Sequence, residues 1–129
     1  MPQAVDWRAL MAKPASAPLS FAQVDFDHPL WVVYSSGTTG LPKGAELTNG
    51  NFAWMMPLWT RTWLLGPGVP NLVCLPMFHI GGAGWGIAGL YSGATNHVMR
   101  EFVPAEILET IQRESIEVII LVPAMILFL

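Results

Sequence analysis

Several kinds of residue are scarce in this 129-residue chain, and each scarcity removes a class of function. Cysteine occurs once, at Cys74, so no internal disulfide can form and no second thiol is at hand for a metal. The chain therefore reads as one from a reducing compartment, with Cys74 a buried, inert thiol inside an apolar run. Charge is sparse as well: six Lys and Arg against nine Asp and Glu give a net charge of −3, and the basic residues form no cluster. A surface for nucleic acid or acidic membranes is not expected. Long apolar runs are missing too, because Val118 to Leu129 is broken by Pro123 and falls short of the roughly 20 residues that a bilayer requires. The N-terminus has no basic segment followed by an apolar stretch. A cytoplasmic protein without a transmembrane segment is expected. No internal repeat is present.

What is there is a chain of 53% hydrophobic and 12% charged residues, long enough for one small globular domain. Its most informative stretch is Tyr34-Ser35-Ser36-Gly37-Thr38-Thr39-Gly40-Leu41-Pro42-Lys43-Gly44. Four hydroxyls, two glycines that let backbone N–H groups turn toward an anion, and one lysine fall on a single loop. Such a set suits phosphate and has little to offer a hydrophobic core. The P-loop pattern G-x-x-x-x-G-K-[ST] is not met, since Pro42 and Gly44 flank Lys43 where glycine and a hydroxyl residue are required. The dinucleotide pattern G-x-G-x-x-G does not fit this loop either.

The surrounding sequence predicts the setting. Leu30 to Tyr34 is a short β-branched and aromatic run that reads as a buried strand feeding the loop, and Ala45 to Leu47 reads as the returning strand. Thr48, Asn49, Gly50 and Asn51 offer N-caps for a helix over Phe52 to Leu65, in which Pro57 predicts a kink or a late start. Further on, strands are expected at Asn71 to Leu75, Ala94 to Met99 and Glu117 to Val122. Helices are expected at Gly81 to Tyr91 and Pro104 to Arg113, with another starting at Pro123. This alternation argues for an α/β fold, a layered sheet of parallel strands with flanking helices. Residues 1–27 read as a connecting segment with a possible short helix around Asp6 to Met11, and residues 28–129 as the domain proper.

The loop resembles the phosphate-binding signature of the adenylate-forming superfamily, the acyl-CoA synthetases, luciferases and adenylation domains, at every position. Glu46 to Asn51 resembles the segment that closes that signature, and Pro76-Met77-Phe78-His79 resembles a second family motif, P-[LM]-F-H. The resemblance implies part of the large N-terminal domain, with ATP and Mg²⁺ at the loop and coenzyme A or a phosphopantetheine carrier as acceptor. It implies that Ser35, Ser36, Gly37, Thr38, Thr39 and Lys43 contact the ATP phosphates. The same hydroxyls could instead stabilise the turn, and Lys43 could steady the loop. It further implies that His79 works between the acyl pocket and the phosphate, whereas His28 and His97 match no motif.

Gly81 and Gly82 fall where aryl-acid ligases carry larger residues, a tyrosine at the position of Gly81 among them. Their smallness fits either an open acyl pocket for a fatty acid or close packing of helix on sheet. Arg100 and Glu101 stand before Phe102 where some members place a lysine toward coenzyme A, so that contact does not carry over. The family's later motifs are missing from this sequence. The expectation is therefore a fragment of an acyl-CoA ligase, inactive alone. The alternatives are a fragment of a carrier-loading adenylation enzyme and a nucleotide-binding module without turnover.

Overall fold

A computed structural model describes residues 7–12, 20, 22–36 and 40–129. It contains two sheets. A short helix, α1 (Trp7–Met11), precedes an antiparallel hairpin of β1 (Pro29–Ser35) and β2 (Lys43–Thr48). Then come α2 (Asn49–Thr62), β3 (Pro70–Val73), α3 (Ile80–Ser92), β4 (Thr95–Val98), α4 (Pro104–Arg113), β5 (Val118–Ile119) and α5 (Pro123–Ile126). Strands β4, β3 and β5 form a parallel sheet in that order. The expected α/β layering is therefore present. Most of the segment before residue 20 that reads as a connector lies outside the described residues.

Central strand β3 shows why the layers form. Asn71, Leu72 and Val73 are fully buried, as a parallel strand covered on both faces must be. Because successive side chains point to opposite faces, Val73 joins Phe52, Met56, Trp85 and Ala88 in one core, while Leu72 and Cys74 join Ile107 in the other. Helices α2 and α3 thus cover one face, and α4 covers the second. The chain steps from β3 to β4 through α3, then crosses to the far side of β3 through α4. Right-handed crossovers taken in opposite directions place their helices on opposite faces, as here.

A polar thread ties α3 to the sheet. The Asn71 amide donates to Asn96 Oδ1 at 2.7 Å, directly across the strand pair, and the Asn96 amide donates to the Gly86 carbonyl at 2.8 Å. Buried amides need such partners, since an unmade bond would cost about 1–3 kcal/mol. The Asn96 amide occupies the space that a Cβ on Gly89 would need. At the C-terminal end, Gly93 takes the left-handed conformation (φ 75°), and its N–H bonds back to Gly89 and Leu90, which stops the helix.

Helix α2 departs from the expected bounds at both ends. It starts at Asn49 because Thr48 accepts the Asn51 N–H while the Asn51 side chain accepts the Thr48 N–H, a reciprocal capping box. It ends at Thr62, and Leu64 turns to φ 57°. The helix runs through Pro57, whose missing N–H leaves the carbonyl of exposed Ala53 to water. The last strand is shorter than expected, with only Val118 and Ile119 paired.

The glycines of α3 give a test with opposite signs. A Cβ on Gly82 would run into the Leu75 and Pro76 carbonyls, whereas one on Gly84 would make only ordinary contacts at 3.6 Å with Ile80 and Trp59. Gly82→Ala is expected to lower stability by about 1–3 kcal/mol. Gly84→Ala is expected to be neutral or to gain up to about 1 kcal/mol from helix propensity. Denaturant titration of both variants measures the contrast.

Candidate functional site

The hairpin is the first part of the site. Its pairing closes with Ser35 opposite Lys43 and Tyr34 opposite Gly44, so residues 36–42 form the connecting loop. Directly paired residues share a face, and the Ser35 hydroxyl and the Lys43 ammonium therefore start from the same side of the ribbon. Ser35, Ser36 and Lys43 are all exposed. Gly37, Thr38 and Thr39 lie outside the described residues. Gly40 sits at φ 82°, a left-handed conformation that side chains disfavour. Below the loop, a Cβ on Gly44 would come within 3.0 Å of Val32 and 3.4 Å of the Tyr34 ring, so the tyrosine leans over its glycine partner.

The base of the hairpin is anchored. Trp31 packs on Phe52 with ring centroids 6.3 Å apart, and Leu47 joins the same core. The β1–β2 ribbon is thereby fixed to the helix layer, while Ser35, Ser36 and residues 40–46 at its far end are exposed. His28, at the entry to the hairpin, is held by its backbone: its carbonyl accepts both the backbone N–H and the side-chain amide of Asn49.

The second part lies after β3. Leu75 to Phe78 lead from the strand to His79, which caps α3 with extended backbone (φ −109°, ψ 148°). The Gly81 N–H donates to His79 Nδ1 at 3.0 Å, and the Ala83 N–H donates to the His79 carbonyl at 3.0 Å. The His79 side chain is exposed, as is the neighbouring Phe78. Gly81 is half-buried, and a Cβ there would stand 3.2 Å from Leu75 Cδ1 and 3.3 Å from His79 Nδ1. Gly82 is buried against main-chain carbonyls, so its missing side chain serves close packing rather than opening to a cavity.

A cavity of about 770 Å³ opens at the carboxyl ends of the three parallel strands. Residues 74–78 after β3, Val98 at the end of β4 with residues 99–102 beyond it, and Val122 and Met125 after β5 line it. Its wall is mostly apolar, with Arg100 and Glu101 as its charged members. In open parallel sheets, ligands bind in the crevice outside the carboxyl ends, where successive connections diverge. Gly81 and Gly82 do not line it, but Leu75 does, and Leu75 is the side chain that a larger residue at 81 would displace. Sequence reasoning missed Met99 and Met125 in this wall. The signal that could have found them is the parallel β–α–β alternation itself, which marks the residues following each strand.

Two other features sort themselves. Gly84, Gly86 and Gly89 have the spacing of a dinucleotide turn, but they lie inside α3 and not at a strand-to-helix turn. His97 on β4 faces Glu114 with Nδ1 3.8 Å from Oε2, and Arg113 holds Glu114 at 2.7 Å; none of the three belongs to a motif. Arg113 lowers the Glu114 carboxyl below the usual range through that hydrogen bond. Burial pushes the Cys74 thiol up from its ordinary value, opposed by a weaker backbone hydrogen bond. A thiol kept protonated and 3% exposed is a poor nucleophile. Cys74 is expected to resist an aromatic disulfide reagent at pH 8 until denaturant is added, as followed by thiolate release.

The residues match the AMP-binding enzyme family model over residues 3–129. The chain is 33% identical over 123 residues to a medium/long-chain-fatty-acid–CoA ligase of Mycobacterium tuberculosis, covering 95% of this chain and 21% of that protein. It is 33% identical over 106 residues to a fatty acid–[acyl-carrier-protein] ligase of Streptomyces coeruleorubidus, covering 78% and 20%. Among solved structures, it is similar to the o-succinylbenzoate CoA synthetase of Bacillus subtilis. The form with its acyl-adenylate intermediate has a TM-score of 0.85 at 28% identity, covering 98% of this chain and 33% of that one. The form with ATP and magnesium has a TM-score of 0.83 at 28% identity, covering 95% and 26%. The chain thus spans about a fifth of the length of these curated relatives. On the loop, the P-M-F-H segment and the α/β frame together, the chain belongs to the AMP-binding, adenylate-forming enzyme family of acyl-CoA and acyl-carrier ligases.

Proposed function

We propose that this chain supplies the phosphate-binding hairpin and the acyl-side histidine of an ATP-dependent acid–thiol ligase. The whole reaction joins a fatty acid to coenzyme A, forming acyl-CoA, AMP and pyrophosphate through an acyl-adenylate. The observation that carries the reading is the closure of the hairpin, with Ser35 and Lys43 paired at the mouth of a loop whose sequence is hydroxyls and glycines.

The chemistry follows from charge. When a carboxylate attacks the α-phosphorus, the bond to the bridging oxygen breaks and negative charge gathers on the departing β and γ phosphates. Donors that meet this charge as it develops accelerate the step more than those that only bind ATP. Ser35, Ser36, Thr38, Thr39, the amide of Gly37 and the Lys43 ammonium are that donor set. Among the described residues no three His, Cys, Asp or Glu side chains gather in a metal-binding group. Magnesium commonly binds through substrate phosphates with few protein ligands, and the exposed hydroxyl oxygens of Ser35 and Ser36 are hard donors of the kind it accepts. When bound, the ion supplies further neutralisation of the phosphate charge.

The family resemblance of the P-M-F-H segment supports a role for His79 between the acid and the α-phosphate, donating to an anionic oxygen and then turning aside for the thiol. The apolar crevice beyond Leu75 supports an acid with a hydrocarbon portion. Among the described residues no helix is long and apolar enough to cross a membrane. A cytoplasmic setting is supported by the lone buried thiol.

Two variants of the complete polypeptide test the assignment. Thr39→Ala is expected to slow adenylation with a loss of roughly 3 kcal/mol of barrier stabilisation, while leaving acid binding nearly unchanged. Isotope exchange between pyrophosphate and ATP measures it, and an unaltered exchange rate contradicts the donor role. Gly81→Tyr is expected to exclude long-chain acids while sparing short ones, because the new ring pushes Leu75 toward the crevice. Thioester formation across a chain-length series reads this out. Equal loss at every length would place the damage at His79 instead.

A further inference from the structure

His79 is tied to the first turn of α3 by both its backbone and its ring. Its carbonyl accepts the Gly82 and Ala83 N–H groups at 3.1 and 3.0 Å, so its backbone belongs to the start of α3. Its side chain belongs to the same turn through Nδ1, which accepts the Gly81 N–H at 3.0 Å. The other ring nitrogen has no partner among the described residues, and the ring is exposed.

We infer that the Gly81 amide acts as a positioning group for His79, holding the neutral ring in the tautomer that carries its proton on Nε2 and presents that single donor outward. The inference rests on the proposed function for the use of the donor, but not for its existence. A backbone N–H can only donate, so a ring with its proton on Nδ1 would set two hydrogens against each other. The helix supplies the reason for the bond: the first N–H groups of α3 have no partner within the helix, and an acceptor at the N-cap satisfies one of them. Histidine is not among the favoured N-caps, so its use here places a ring with a second, outward nitrogen where Ser, Thr, Asp or Asn would leave none.

The bond to the Gly81 N–H is what holds the exposed ring. Leu75 and the ring flank the space above Gly81, and the missing Cβ lets both approach. Turning the ring aside, as thiol entry would require, breaks one hydrogen bond and uncovers one amide. The cap therefore works as a latch on the ring as well as a selector of its tautomer.

The test uses the complete polypeptide, labelled with ¹⁵N at the histidine ring nitrogens. The expected result is an Nδ1 signal of the unprotonated type and an Nε2 signal of the protonated type for His79 at neutral to mildly alkaline pH. A fast-exchanging mixture, as free exposed rings show, or a proton on Nδ1, overturns the inference. Stability gives a second readout that needs no activity. His79→Asn keeps a capping oxygen and is expected to melt with the wild type, whereas His79→Ala is expected to melt a few degrees lower. Equal melting of Asn and Ala variants overturns the cap. Both variants lack the outward ring donor, and adenylation in both is expected to fall by roughly 100-fold. Full activity in His79→Asn, with the Nε2-protonated tautomer observed in the wild type, would defeat the functional reading of His79 and leave the cap standing.

Discussion

The pairing of Ser35 with Lys43 is the contact on which the proposed chemistry depends, because it decides where a loop of small donors begins and ends. Hydroxyls and glycines do not hold themselves in place, and a loop rich in them costs conformational entropy to order. The hairpin lowers that cost by fixing both ends of residues 36–42 across one strand pair. Its own anchorage comes from Trp31 on Phe52 and from Leu47 in the same core, which transmit the position of α2 and α3 to the tip. The outer face of β1, with Leu30, Val32 and Tyr34 exposed, contributes nothing to that anchorage.

The parallel sheet solves a different problem. Its winding brings the ends of β3, β4 and β5 to one crevice, and the first residues beyond β3 run straight to His79. The buried asparagine thread from Asn71 through Asn96 to Gly86 holds α3 at a fixed height on the sheet. His79 sits at the start of that helix, so the thread that locks the helix also locks the histidine. Stability and site geometry are coupled through one element.

Much of this was legible in the residues. The strand–loop–strand around Tyr34 to Gly44 could be read from the β-branched and aromatic run Leu30 to Tyr34, but that run reads as a buried strand and is not one: β1 is covered on one face only, with Leu30, Val32 and Tyr34 exposed. Helix α4 was legible to the residue, since Pro104 favours a first turn and Ile107 and Ile111 fall one turn apart. Boundaries set by side-chain geometry were harder. The start of α2 depends on which of four polar residues caps it, and Thr48 wins through a reciprocal bond with Asn51 that composition does not reveal. The shortness of β5 is a matter of pairing with β3, a long-range property. Gly82 illustrates the remaining gap: a glycine that opens space and one that admits a carbonyl look alike until the strand exit is seen beneath it. The crevice wall was missed for the same reason, because Met99 and Met125 meet only after the sheet has wound.

The account turns on the hairpin tip meeting the phosphates of ATP, and amide hydrogen exchange of the complete polypeptide with and without magnesium–ATP tests this most directly. The account predicts slowed exchange concentrated in residues 35–44, with the hairpin base around Trp31 unchanged. Slowed exchange confined to the crevice at residues 98–102, with the tip exchanging as freely as before, would contradict it.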